Sequence, residues 1–135
     1  MRTVEVSRFV RASRPAVERL LTPETLLDYE GTFRVRDVTE TEDGVIVTAG
    51  AAGMETEFVF EDREDGLEYR QRGTAGPFRA METEMEVTPE NEGVRVTMRS
   101  AVSLNLPLPF ADRIAAWKRR GELRRALSRL ADDVE

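Results

Sequence analysis

The side chains that most often carry chemistry in proteins are largely missing from this sequence. The chain has no histidine and no cysteine, which excludes imidazole bases, thiolate nucleophiles, disulfides and the usual zinc ligands. Without histidine, no side chain has an unperturbed pKa near neutrality, so acid–base catalysis would need a strongly shifted Glu, Asp, Lys or Tyr. The residue types therefore predict no catalytic residue, no metal site and no cofactor.

A few polar residues still have a pattern worth testing. Glu82, Glu84 and Glu86 are spaced two apart and so share one face of a strand, which we interpret as a solvated outer ladder rather than a metal or acid–base cluster. Arg8 either anchors a ligand carbonyl or carboxylate, or pairs with a neighbouring acid. Tyr29 either gates a cavity or forms a half-buried plug.

The order of periodicities predicts the elements that position these residues. A strand over 3–10 precedes two short helices, opened by Ser13 and Thr22, each followed closely by a proline. A long stretch of two-residue alternation follows, and the proline-rich segment 106–109 ends it. The chain then becomes helical over 110–134. This order predicts an α+β fold in which a curved antiparallel sheet of about seven strands wraps a long C-terminal helix.

Two hairpins predict which side chains face the core. In the first, Asp65-Gly66 forms the turn and Glu61 lies opposite Arg70. In the second, Met85 lies opposite Val96. Both registers place paired charges outside and apolar side chains inside, as expected where one face of a sheet is buried.

The apolar stripe of the last helix comes in two parts. Phe110, Ile114, Trp117 and Gly121 share one face, whereas the leucines that follow lie on a face rotated away from it. Either the helix bends near Gly121 or its two halves bury different surfaces. The helix is also locally basic, which we interpret as a solvated outer face, with docking of an acidic partner or a membrane surface as the alternative. Its cations are Arg113, Lys118, Arg119, Arg120, Arg124, Arg125 and Arg129.

The charge balance bears on which partners the protein binds and on the kind of organism it comes from. The chain carries 26 acidic and 20 basic residues, a net charge of −6, and Lys118 is its single lysine. An acidic surface with almost no lysine predicts a GC-rich, salt-loving source and argues against a nucleic-acid partner. No signal-like core and no run of about 18 apolar residues is present. We therefore expect a cytoplasmic protein without stable membrane insertion.

The segments over 4–13 and 15–21, together with the order of elements after them, carry a family resemblance. The chain resembles the START-like (SRPBCC) superfamily, particularly its polyketide cyclase/dehydrase and lipid-transport branch, over nearly its whole length. The resemblance implies a single domain over 1–135 with the helix-grip fold. It also implies a cavity between sheet and helix for sterols, lipids, polyketides, hormones or quinones. The chain lacks the histidines and cysteines of the metal-dependent and oxygenase branches.

The inward-facing residues supply the predicted ligand-binding set. Composition alone favours a filled core, and the resemblance is what implies a cavity. Adaptable methionines suit an irregular pocket, and the few inward polar groups would orient a ligand. The predicted ligand-binding residues are Tyr29, Phe58, Phe60, Tyr69, Met81, Thr83, Met85, Met98, Ser100, Ile114 and Trp117.

Three hypotheses on function follow. The first is binding or transport of a small hydrophobic ligand, such as a lipid, polyketide or isoprenoid-like molecule. The second is a cyclase- or dehydratase-like enzyme that uses neither a metal nor a nucleophile, in which Tyr29 or Arg8 polarises a carbonyl. The third is a co-chaperone-like or ribosome-associated interaction module, with a protein partner bound through the basic C-terminal helix.

Overall fold

The computed structural model describes residues 1–51, 53–73, 78–104 and 106–135. A curved antiparallel sheet of seven strands, a long C-terminal helix and two short helices after the first strand form the helix-grip fold, which confirms the predicted class. The elements are β1 (Arg2–Val10), α1 (Arg14–Glu18), α2 (Pro23–Glu30), β2 (Arg34–Thr41), β3 (Gly44–Ala51), β4 (Met54–Arg63), β5 (Gly66–Arg72), β6 (Phe78–Glu90), β7 (Gly93–Leu104) and α3 (Ala111–Val134).

The sheet has the strand order β1-β7-β6-β5-β4-β3-β2. Each strand from β2 to β7 is joined to the next by an antiparallel pairing, and β1 pairs with β7. The helix α3 packs on β1 and β7, and α2 packs on α3. The end of α2, the inner face of the sheet and α3 therefore enclose one interior.

The two short helices begin where the capping residues predict. The Ser13 hydroxyl accepts a hydrogen bond from the Ala16 amide, and the Thr22 hydroxyl accepts one from the Thr25 amide. Gly31 ends α2 in the left-handed conformation with φ +80°. This stop fixes the last helical residue, Glu30, at the interior.

The predicted hairpin registers are wrong by two residues. Glu61 lies opposite Glu68 rather than Arg70, and Met85 lies opposite Met98 rather than Val96. Because side chains alternate with a period of two, this shift leaves every side chain on its predicted face. The predicted division between the core and the charged outer face is therefore correct.

Both register errors come from the position of the turn. The first loop is Glu64-Asp65, and Gly66 already belongs to β5. A Cβ at Gly66 would lie 1.9 Å from the Met85 carbonyl oxygen, so this glycine allows a close approach of β6 rather than forming a turn. The second loop is Asn91-Glu92, where Asn91 adopts φ +51°.

α3 buries one continuous face along its length, so the predicted alternative in which its two halves bury different surfaces is wrong. The halves differ in the kind of residue that occupies this face. In the second half, Leu123, Leu127 and Leu130 are buried, as a core-facing stripe requires. In the first half, the buried positions are the small residues Ala111, Ala115 and Ala116, together with Arg119 and Glu122.

The inward placement predicted for Ile114 and Trp117 is wrong. Trp117 is 78% exposed and Ile114 is 58% exposed. Their face is turned roughly half a helical turn from the alanines that contact the sheet. Truncating a buried tryptophan typically costs about 3 to 5 kcal/mol of folding stability. Trp117 is exposed, so its truncation should cost much less.

Among the described residues, none of the helices combines the length and the hydropathy that a membrane-spanning segment requires.

Candidate functional site

Arg119 is the centre of a polar cluster in the interior between sheet and helix. The residue is 1% exposed. A guanidinium has five N–H groups, and here they meet five acceptors. Nε donates to Ser100 Oγ at 3.0 Å, Nη1 to Glu30 and to Glu122 Oε1 at 3.3 Å, and Nη2 to the Tyr69 hydroxyl and to Thr83 Oγ1 at 2.8 Å.

The sheet register aligns three of these acceptors. Tyr69 on β5 is the partner of Thr83 on β6, and Thr83 is the partner of Ser100 on β7. The three side chains therefore form one row on the inner face, and the Thr83 and Ser100 hydroxyls lie 2.9 Å apart. Arg119 reaches this row from α3, while Glu30 reaches it from the end of α2.

The cluster holds two carboxyl groups against one guanidinium. Burial raises the pKa of Glu30, and the nearby charge of Arg119 and the Tyr69 hydroxyl only partly oppose this. Burial alone would lower the pKa of Arg119, but Glu30, Tyr69 and Glu122 together outweigh it and the pKa is raised, so the guanidinium stays charged. Glu122 also accepts a hydrogen bond from the Thr32 hydroxyl.

Tyr69 is a neutral hydrogen-bonding group in this cluster. Burial is the main reason that its pKa is raised, so the hydroxyl keeps its proton. The hydroxyl donates to Glu30 Oε2 at 2.6 Å and accepts from Arg119. Phe60 stacks on the Tyr69 ring at 4.5 Å between centroids, and Phe58 meets it edge-on at 5.5 Å.

Eight of the predicted ligand-binding residues come together around this cluster on the inner face of the sheet. All of them are buried, and the apolar members surround the polar row with aromatic rings and flexible thioethers. They are Phe58, Phe60, Tyr69, Met81, Thr83, Met85, Met98 and Ser100.

Other predicted candidates lie elsewhere. Tyr29 is buried, but its hydroxyl donates to Asp133 near the end of α3 at 2.6 Å, away from the Arg119 cluster. Arg8 is exposed, so the predicted inward guanidinium is not found there. Ile114 and Trp117 face outward from the first half of α3.

Sequence reasoning missed three members of the cluster: Arg119, Glu30 and Glu122. The interpretation of the basic residues as a solvated face is wrong for Arg119, because the bulky apolar residues of the first half of α3 do not mark its buried side. The better signal lies in the second half. Arg119 precedes the buried Leu123 by one helical turn and so shares its face.

The outer face of the sheet confirms the solvated carboxylate ladder. Glu84 pairs with Arg63 at 2.8 Å and with Arg99 at 2.5 Å, while Glu82 and Glu86 are exposed. A cleft of about 490 Å³ lies over this face. No group of three or more acidic side chains suited to a metal ion occurs among the described residues.

The cluster provides two hydrogen-bond donors, Arg119 and Tyr69, that could bind an oxygen atom of a ligand. A charged guanidinium and a neutral phenol hydroxyl converge in a dry interior, where both would polarise a carbonyl strongly. Because all five N–H groups of Arg119 are engaged, a ligand oxygen would have to replace one of the internal acceptors.

Comparisons with known proteins agree with the fold. Among solved structures, the chain is similar to TTHA0849 from Thermus thermophilus, with 20% sequence identity over 99% of this chain and 100% of that chain and a TM-score of 0.70. It is similar to a START superfamily protein from Mycobacterium smegmatis, with 14% identity, 95% and 92% coverage and a TM-score of 0.71. It is also similar to the di-domain ARO/CYC BexL, with 19% identity over 98% of this chain and 46% of that chain and a TM-score of 0.71.

No curated protein matches the sequence, and identities this low show the fold alone. A family model described as polyketide cyclase / dehydrase and lipid transport, however, matches residues 1–135. The chain therefore belongs to the polyketide cyclase/dehydrase and lipid transport family.

Proposed function

We propose that the protein binds a small, neutral, hydrophobic molecule between the sheet and α3, and that a carbonyl or hydroxyl oxygen of this molecule is held by Arg119 and Tyr69. The observation that carries the proposal is the buried Arg119 cluster within an apolar interior. Replacing a buried ion pair by well-packed apolar residues is often neutral or stabilising. A cluster of this kind is therefore poorly explained by stability alone.

The charge of the cluster selects the chemical class of the ligand. Glu30 and Glu122 already share one guanidinium. A carboxylate ligand would add a third negative group to a dry interior, which is costly. A neutral oxygen acceptor avoids this cost, and it can take a hydrogen bond from Arg119 in place of Tyr69 or Thr83. A polyketide- or quinone-like ketone has this chemistry.

Space for the ligand comes from side chains that can rearrange. Met81, Met85 and Met98 lie on the inner face and have flexible chains without branches. On the helix side, the first half of α3 presents alanines to the sheet. Movement of the methionines and of this part of α3 opens the interior without displacing the leucines of the second half.

The test uses two fluorescent probes of similar size, the neutral naphthyl ketone prodan and the anionic anilinonaphthalene sulfonate. We expect prodan to bind with a blue-shifted emission and the sulfonate to bind more weakly. Arg119→Met should weaken prodan binding about tenfold or more, because a hydrogen bond to a charged group is lost. Arg120→Met, one residue along on the exposed side, is the matched control.

Two further measurements make the test decisive. Ile114→Asp removes apolar surface outside the interior, so prodan binding should survive this change. Native mass spectrometry of protein taken from its own host should show a bound neutral molecule. Equal prodan affinity of the wild type and Arg119→Met, with only the mass of the bare chain in native spectra, would contradict the proposal.

A second function, cyclase- or dehydratase-like catalysis, is favoured by one observation. Glu30 is a fully buried carboxyl group that accepts a hydrogen bond from Tyr69, and its burial raises its pKa. A raised pKa suits a carboxyl group to general acid catalysis. The ARO/CYC neighbour has the same fold. In an intramolecular aldol step, Glu30 would protonate the carbonyl oxygen as the C–C bond forms, and Glu122 would take the methylene proton.

Catalysis is tested with a linear poly-β-ketone whose cyclisation produces an aromatic chromophore. Glu30→Gln should abolish turnover while prodan binding remains, and Tyr69→Phe should lower the turnover rate more than the affinity. Cyclisation at the uncatalysed rate with the wild-type protein, despite measurable ketone binding, would leave the binding function standing and exclude the enzymatic one.

A further inference from the structure

Five large apolar side chains on the outer side of the first half of α3 and in the segment before it are exposed, and together they are here called the apolar ridge. Trp117, Ile114 and Phe110 lie one helical turn apart on a single face. Each member is more than half exposed, which is unusual for such large side chains grouped together. The apolar ridge consists of Leu106, Leu108, Phe110, Ile114 and Trp117.

Cations border the apolar ridge on both sides. By helical spacing, Arg113 and Arg120 lie along one side of the stripe and Lys118 along the other, and all three are exposed. The nearest carboxylate in the sequence, Asp112, is occupied by the Leu104 amide at 3.0 Å and by the terminal amine of Met1 at 3.4 Å. This face is therefore locally positive in a chain of net charge −6.

The glutamate ladder lies on the opposite side of the molecule, where Glu84 is paired with Arg63 and Arg99. The outer face of the sheet carries the ladder of Glu82, Glu84 and Glu86, while α3 packs on the inner face. The two charged surfaces are thus separated by the thickness of the sheet and the helix. At physiological ionic strength, charges separated by more than about 8 Å are largely screened. The acidic sheet therefore does not prevent the basic face from approaching an anion.

We propose that the apolar ridge docks on an anionic lipid bilayer, with its side chains at the level of the headgroups and its cations on the lipid phosphates. Apolar side chains that include tryptophan, bordered by Arg and Lys on one helix face, have the composition of interfacial helices that lie in a membrane surface. The ridge is a convex surface of a single helix and its preceding segment, which suits a soft, flat bilayer.

A second copy of the chain fits the ridge less well. In a two-fold interface the same patch meets itself, so Arg113, Lys118 and Arg120 of one copy would face the same cations of the other. Like charges opposed in this way disfavour association. Complementary charge on the surface that covers the ridge therefore selects an anionic partner, and the bilayer supplies both negative charge and an apolar layer.

The sequence provides its own reporter, because Trp117 is the single tryptophan of the chain and lies on the ridge. We would titrate the whole chain with vesicles of pure phosphatidylcholine and with vesicles containing one third phosphatidylglycerol. Docking predicts a blue shift of tryptophan emission and co-sedimentation with the anionic vesicles only. High salt should release the protein, because the attraction to the phosphates is screened.

Variants separate the apolar and the charged contributions. Ile114→Asp should abolish both the blue shift and co-sedimentation. The pair Arg113→Gln and Arg120→Gln should lower partitioning onto anionic vesicles about 30-fold, since each cation near an anionic surface strengthens binding by a factor of about five. The matched control is the pair Arg34→Gln and Arg36→Gln on the exposed strand β2, which removes the same net charge.

Three results would overturn the proposal. The first is an unchanged emission on anionic vesicles. The second is equal partitioning onto both kinds of vesicle, and the third is an equal loss of partitioning in the control pair. Concentration-dependent self-association that Ile114→Asp removes, without vesicle binding, would show that the ridge is a protein interface instead. Circular dichroism confirms that each variant is folded, and none of these readouts depends on a bound ligand.

Discussion

Replacing Arg119 by methionine tests whether the interior cluster is as dry and as charged as the structure shows. Arg119→Met keeps a long flexible side chain but removes five hydrogen-bond donors and the positive charge. Glu30 and Glu122 then lose their counter-charge in an interior where both are almost fully buried. The neutral groups keep partners, because Tyr69 still donates to Glu30.

The expected cost follows from these losses. Removing one partner of a buried ion pair typically costs about 3 to 5 kcal/mol, because an uncompensated charge stays buried. Part of this is recovered by protonation of Glu30, whose pKa is already raised. We expect a loss of about 3 kcal/mol at neutral pH, out of a total stability of about 5 to 15 kcal/mol. The loss should shrink by up to about 1.4 kcal/mol for each pH unit below neutrality until the carboxyl group is protonated.

Urea unfolding followed by far-ultraviolet circular dichroism measures this loss at neutral and acidic pH. Tryptophan emission is unsuitable, because Trp117 is already 78% exposed in the folded chain. Arg120→Met is the control and should change stability by less than about 0.5 kcal/mol, as an exposed substitution does. A cost for Arg119→Met below about 1 kcal/mol, or one that is equal at both pH values, would refute the picture of a desolvated ion cluster.

Other predictions follow from single features of the fold. The folded-state pKa of Glu30 lies above its unfolded value, so the folded chain binds a proton that the unfolded chain releases. The free energy of unfolding should therefore fall as pH rises between the two pKa values, by up to about 1.4 kcal/mol per pH unit. In Glu30→Gln, the free energy of unfolding measured in urea should not change with pH over that range. Trp117→Ala should cost less than about 0.5 kcal/mol, but Leu123→Ala about 2 to 5 kcal/mol, in the same assay; equal costs would contradict the two-sided helix. Gly66→Ala should lower the melting temperature, because its Cβ would strike the backbone of β6, whereas Gly121→Ala meets nothing within 4 Å and should stabilise the chain by roughly 0.5 to 1 kcal/mol. In hydrogen exchange, the alanine-lined first half of α3 should exchange faster than its leucine-lined second half, and uniform protection would argue against local opening.

Local signals in the sequence were enough to predict the fold. Capping by Ser13 and Thr22 depends on neighbouring residues only, and the structure confirms it. The alternation of the strands also assigned the faces correctly, because it survives a register error of two residues. The exact strand register could not be predicted from the sequence, because it depends on how closely Gly66 approaches β6, a contact between residues distant in sequence.

The site was predicted only where it lies on the sheet. Tyr69, Thr83 and Ser100 follow from alternation, but Glu30 and Arg119 come from elements whose orientation is set by tertiary packing. In α3 the usual rule, that large apolar side chains mark the buried face, fails in the first half. Alanines and an arginine occupy the interior there, while Trp117 lies outside. A departure from local rules of this kind is expected where function rather than stability has set the residues.

The same half of α3 carries both proposed activities, on opposite sides. Arg119 points to the interior, and Trp117, two residues earlier, points outward. The burial of large apolar side chains holds the second half of α3 in place, since each buried leucine contributes about 1.5 to 3 kcal/mol. The first half buries alanines in place of large apolar side chains, and it is held to the sheet by the hydrogen bonds of Arg119 and by Asp112, which accepts from the Leu104 amide. A ligand oxygen that takes over some of these hydrogen bonds replaces the contacts that hold this half closed. A bilayer that covers the outer apolar ridge would act on the same half, so entry of a hydrophobic ligand from a membrane would require movement of this part of the helix alone.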